Sequence, residues 1–101
     1  MGSRLNLQTK LVALIGNNNV YFQPPPDFML SYPCIVYSRV NIRSRFGDNV
    51  PYSITKEYNL TVIDTNPDSE IPDKVSKLER CAFDRHFTTS NLNHDVFNIL
   101  F

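Results

Sequence analysis

Hydrophobic positions fall three and four apart at the start of the chain and two apart over much of its remainder. In "RLNLQTKLVALI", residues 4–15, Leu7, Leu11, Leu14 and Ile15 share one helical stripe, and Gly16 supplies a stop. Ser3 is the candidate cap. "GNNN" reads as a turn, because glycine and asparagine tolerate left-handed backbone. "VYF", 20–22, is a short strand, and "CIVYSRVNI", 34–42, rich in β-branched and aromatic residues, is a second. "RSRFGDNVP", 43–51, reads as a loop. The third strand, "YSITKEYNLTVID", 52–64, is the longest. It sets Ile54, Tyr58, Leu60 and Val62 on one face and Ser53, Thr55, Glu57, Asn59 and Thr61 on the other. That alternation predicts one buried and one polar sheet face.

"TNPDSEIPDKVSKLERC", 65–81, predicts a loop and a second helix with Pro72 in its first turn. Ile71, Val75, Leu78 and Ala82 form its stripe, while Glu70 with Lys74 and Asp73 with Lys77 stand four apart on its exposed side. "FDRHFTT" and "HDVFNILF" are two last strands, joined as a hairpin by "SNLN". The order is helix, three strands, helix, two strands. It predicts a single α+β domain over residues 1–101, a mainly antiparallel sheet of about five strands packed by two helices.

"YFQPPPDFMLSYPCIVY", 21–37, interrupts this pattern. Prolines 24–26 donate no ladder hydrogen bond and favour a stiff extended backbone. Tyr21, Phe22 and Phe28 beside them call for burial, so the stretch reads as an elbow inside one domain rather than a disordered proline-rich ligand.

At 101 residues, 42% of them hydrophobic and 20% charged, the composition is that of an ordinary globular domain. Ten basic and ten acidic residues cancel, which removes any general attraction to nucleic acid or an anionic membrane and favours self-association. No apolar run approaches the roughly 20 residues of a membrane span, and "MGSRLNLQTK" lacks a signal-peptide core, so a soluble cytoplasmic product is expected. Cys34 and Cys81 read as packed free thiols.

Catalytic patterns are sparse. Cys81, Asp84, His86 and His94 lie close in sequence, but without the paired spacing of zinc ligands. A thiol–imidazole pair between Cys34 or Cys81 and His86 or His94 has no local signature. Three glycines leave no phosphate-cradling loop. The reading is of a non-enzyme with no cofactor, no metal and no catalytic residue. The charge pattern is more informative. Arg39, Arg43 and Arg45 form a basic stretch, and Asp64, Asp68, Glu70 and Asp73 an acidic one. Head-to-tail contacts between identical copies would use both. Charge patterning alone leaves intramolecular pairing and plain solvation equally open.

Three stretches carry a resemblance: "NVYFQPPPDFMLSYPCIVY", "YSITKEYNLTVIDTNPDSEIPDKVSKL" and "CAFDRHFTTSNLNHDVFNILF". Together they resemble the small tail-completion, or tail-terminator, proteins of long-tailed bacteriophages and prophages. The resemblance runs over nearly the whole chain, although this chain is short for the group and shows no extra arm. It implies a structural virion protein of α+β fold that assembles as a ring, typically a hexamer. The ring would sit at the head-proximal end of the tail tube, stop its polymerisation and join tail to head. The implied partners are further copies of the chain, the tail tube protein, the head-side connector protein and DNA passing through without sequence recognition, with no membrane. The implied location is the virion, and the host cytoplasm during assembly. Arg39, Arg43 and Arg45 on one side and Asp64, Asp68 and Glu70 on the other become the candidate subunit contacts, with the arginine stretch first in line to face the channel. The competing readings are a head-completion or connector subunit, and a small module that binds a peptide along its proline-bounded edge strand.

Overall fold

The computed structural model describes residues 4–47 and 50–101, the side chains of 43–55 excepted. The elements are α1 (Arg4–Ile15), β1 (Val20–Phe22), β2 (Cys34–Gly47), β3 (Val50–Asp64), α2 (Ile71–Ser76), β4 (Cys81–Thr89) and β5 (Leu92–Leu100). They build one five-stranded sheet in the order β1-β2-β3-β5-β4. Only β1 and β2 are parallel, and every other neighbouring pair is antiparallel. This is the α+β class that the order of patterns predicts.

The core lies on the face covered by the helices. Leu7 and Leu11 of α1 and Val75 of α2 join Ile35 and Tyr37 of β2, Tyr58, Leu60 and Val62 of β3, and Phe97 and Ile99 of β5. The four-residue spacing of Leu7 and Leu11 puts both on one side of α1, where both are fully buried. Gly16 ends the helix at φ +80°, its N–H bonded to the Val12 carbonyl at 3.0 Å. The Gln8 amide then ties α1 to β1 by donating to the Val20 carbonyl at 3.0 Å. Aromatic rings fill the middle: Phe22 lies 5.0 Å from Tyr37, and Tyr37 lies 6.0 Å from Tyr58, between ring centres.

The proline stretch does end β1. Past Phe22 the chain turns out at Gln23, whose φ is +46°, and folds so that Tyr21 and Phe28 meet edge to face at 5.2 Å. The opposite face is less polar than strand alternation predicts: Cys34, Ile63 and Val96, offset by one residue from the core positions, are buried there too. The candidate cap Ser3 lies outside the described residues.

Helix α2 is shorter than its stripe suggests. It stops at Ser76, so Ala82 belongs to β4 and is exposed. Proline at its first turn is as predicted, but among the described residues neither Glu70–Lys74 nor Asp73–Lys77 closes an ion pair. The last hairpin turns on Ser90 and Asn91, both at positive φ (51° and 61°), the conformation that a two-residue turn between twisted strands requires.

The largest departure concerns residues 43–51. Instead of a loop, β2 continues to Gly47 and pairs with β3 from Val50 onward: Arg43 with Thr55, Arg45 with Ser53, Gly47 with Val50. The pairing of β1 stops at Tyr37 and that of β5 stops at Glu57. Beyond those points β2 and β3 pair only with each other. The chain therefore carries a two-stranded arm, which overturns the expectation that no arm is present. The arm stretches the molecule to 52 × 27 × 23 Å. Its radius of gyration of 14.7 Å exceeds the about 13 Å of a compact chain of this length.

Candidate functional site

The two charge clusters of the sequence occupy opposite ends of β3. Register sets Arg39 opposite Tyr58, Arg43 opposite Thr55 and Arg45 opposite Ser53. Asp64 closes the strand at the far end. At about 3.3 Å per residue, Thr55 and Ser53 lie about 30 and 36 Å from Asp64, and Tyr58 lies about 20 Å from it. These spans exceed side-chain reach, and they exceed the screening length of about 10 Å at 0.1 M salt. Pairing of Arg43 and Arg45 with Asp64 within one chain, open from the sequence, is thereby excluded.

Over residues 39–57 the chain carries four basic groups against two acidic ones, and over 64–73 four acidic groups and no basic one. A neutral chain is thus polarised along its length. Arg39 is exposed, and Val40 and Ile42 beside it, at 55% and 48% exposure, give the root of the arm an apolar character. The side chains of Arg43 and Arg45 lie outside the described residues. The period-two signal of this arm, Val40, Ile42 and Phe46 alternating with Asn41, Arg43 and Arg45, was present in the sequence. Gly47, Asp48, Asn49 and Pro51 obscured it, because a short run of turn-forming residues between two strands reads like part of a longer loop.

The acidic end is held by its own side chains. The Asp64 carboxylate accepts from the Asn66 N–H and the Asn66 side-chain oxygen accepts from the Asp68 N–H, each at 3.0 Å. Asn93 of β5 donates to the Asp64 carbonyl at 3.3 Å. Two successive turns of this kind fix the loop with Asp68 and Glu70 turned to solvent. Asp64 is half-buried, and its charge assists burial in raising the Cys34 thiol.

Neither thiol is prepared for chemistry. Burial foremost, with Asp64 second, pushes Cys34 up to about 11, and burial pushes Cys81 up to about 11. A nucleophilic cysteine requires the opposite shift. The histidines are engaged elsewhere: His86 Nδ1 meets the Asp95 carboxylate at 2.7 Å, and the His94 ring stacks on Phe87 at 4.6 Å. A bulge between Phe83 and Arg85 breaks the strand face that Asp84 and His86 would share, and Asp84 pairs with Arg85 at 2.7 Å. Among the described residues no three His, Cys, Asp or Glu side chains group to hold a metal ion. A cleft of about 640 Å³ lies between α1, residues 78–80 and the end of β5. Its Lys10 ammonium sits 5.5 Å from the centre of the Phe101 ring. No described helix is long and apolar enough to cross a membrane.

No family model, curated protein or solved structure matches this chain.

Proposed function

We propose that this chain is a structural, ring-forming protein of the tail-completion type. Copies would join head to tail, with the basic arm of one meeting the acidic Asp64–Asp73 loop of the next. The ring would cap the tail tube at its head-proximal end, stop its growth, dock the head-side connector and leave a channel for DNA. One observation carries the proposal: on a chain of zero net charge, Arg43 and Arg45 stand about 30 Å or more along β3 from Asp64, where the acidic loop begins. Such a pattern is self-complementary only between different copies. A contact between two different patches is heterologous, and it closes into a ring when the rotation permits.

The test is a charge swap. Reversing Arg43 and Arg45 to Glu, or Asp64, Asp68 and Glu70 to Lys, should each abolish the oligomer in sedimentation. Mixing the two variants should restore it with alternating copies, because each reversed patch then meets its complement. Two variants that assemble as well as the parent chain, or a mixture that stays dissociated, would dismiss the assignment. The tail role makes a separate demand: the genes flanking this one should encode tube and connector proteins. Unrelated neighbours would remove the phage role while leaving the ring.

A further inference from the structure

The sheet has two edges, and they are unequal. β1 covers β2 only from Ile35 to Tyr37, and prolines 24–26 prevent its extension. The Gln23 side chain then accepts the Arg39 N–H at 3.3 Å, and beyond it no strand pairs with the outer edge of β2 among the described residues, where the Ile42 N–H is held by its neighbour's Asn41 side-chain oxygen at 2.8 Å. β4, nine residues long, is the opposite edge, and its residues 82–89 are exposed. Thr89 and Leu92 close the two-residue turn as a hydrogen-bonded pair. Alternation then makes Thr88–Asn93 and His86–Asp95 non-hydrogen-bonded pairs. The backbone N–H and C=O groups of Thr88 and His86 accordingly point away from β5, toward solvent. Natural sheets rarely leave such an edge without a partner or a device against pairing. Here the bulge between Phe83 and Arg85 blunts the first half and leaves Arg85–Thr89 regular.

We infer that this β4 edge receives the arm of a second copy, its β2 from Val40 onward adding antiparallel to Arg85–Thr89 and making one sheet continuous between subunits. Three features select the arm as occupant. A two-stranded ribbon is marginal alone in water, and this one exposes Val40 and Ile42, while the receiving edge exposes Phe87. Three antiparallel steps separate β2 from β4, so copies set side by side in the same orientation present those strands antiparallel. Thr88, Asn93 and Asp64 are successive cross-strand neighbours, so an arm on this edge brings its arginines toward the acidic end.

The inference rests on the ring reading and deepens it. Hydrogen exchange of the whole chain, diluted and assembled, tests it. The His86 and Thr88 amides should lose their fast exchange on assembly, and Thr88→Pro should lose the oligomer while keeping the strand signal in circular dichroism. If the proline disturbs β4 itself, Thr88→Lys and the exchange data on the parent chain decide. An oligomer whose His86 and Thr88 amides exchange as fast as in the dilute chain overturns the edge assignment and leaves the ring intact. A chain that never associates overturns both.

Discussion

Cutting the arm off should leave the body at least as stable as before. The perturbation is replacement of residues 44–54 by Asn-Gly, closing β2 on β3 at the Arg43–Thr55 pair, which alternation makes a hydrogen-bonded pair because Lys56 beside it faces β5. Lys56 is kept because its carbonyl accepts the Phe101 N–H at 2.8 Å. Every described core residue lies outside the removed segment, the nearest being Tyr58, so no described apolar contact of the core is lost. Shortening an 11-residue connection to two residues spans between two and three halvings, each lowering the closure cost by about 0.6 kcal/mol. The upper limit is thus a gain of about 1.5 kcal/mol, reached if the ribbon adds nothing of its own; the lower limit is no change. For a domain of this size a gain of 1 kcal/mol raises Tm by about 4–8 °C. Urea and thermal unfolding, followed by circular dichroism and tyrosine emission since the chain has no tryptophan, would measure it. The same variant should fail to oligomerise. A loss beyond about 0.5 kcal/mol, larger than a surface change produces, would refute the claim that the arm and body are energetically separate.

Tyr37→Phe keeps the ring stack and removes the hydroxyl that donates to Gln8 Oε1 and accepts from Arg4, so it should cost about 1 kcal/mol in urea unfolding. Stability should also fall as pH rises from 9 to 11. In that window the thiols of the unfolded chain, with an ordinary value of 9.0, have lost their protons while Cys34 and Cys81 of the folded chain, at about 11, retain theirs. Fewer protons on the unfolded side means lower stability as pH rises, and well below pH 9 these two groups contribute no slope. Cys34→Ala/Cys81→Ala should flatten the decline in thermal scans taken across that range; an unchanged slope would assign it to other groups.

Much of the fold was legible because local signals agreed with the tertiary structure. Leu7 and Leu11 at helical spacing, the alternation of Tyr58, Leu60 and Val62, and Gly16 after α1 each point one way, and each stands where the pattern put it. The end of α2 was not legible. Leu78 still packs on the core beyond the helix, and the chain breaks at Arg80, held at φ +61° while its carbonyl accepts from Leu100. Neither the break at Arg80 nor its contact with Leu100, 20 residues on, has a local sequence signal. Burial of Cys34, Ile63 and Val96 on the second face was hidden for a related reason: these residues sit among Ser38, Thr61 and Asn98, and alternation assigns the whole set to solvent. Of the candidate site, the charges were visible and their separation was not. Distance along β3 emerges only once 43–47 is strand instead of loop.

Mass measured by light scattering across protein concentration and ionic strength bears most directly on the account. Head-to-tail copies held by the arm and the acidic loop should give one discrete oligomer at low salt, with a mass independent of further concentration. That oligomer should dissociate as salt screens the contact. A monomer at every concentration and salt, or a mass that grows without limit as in an open filament, would contradict it.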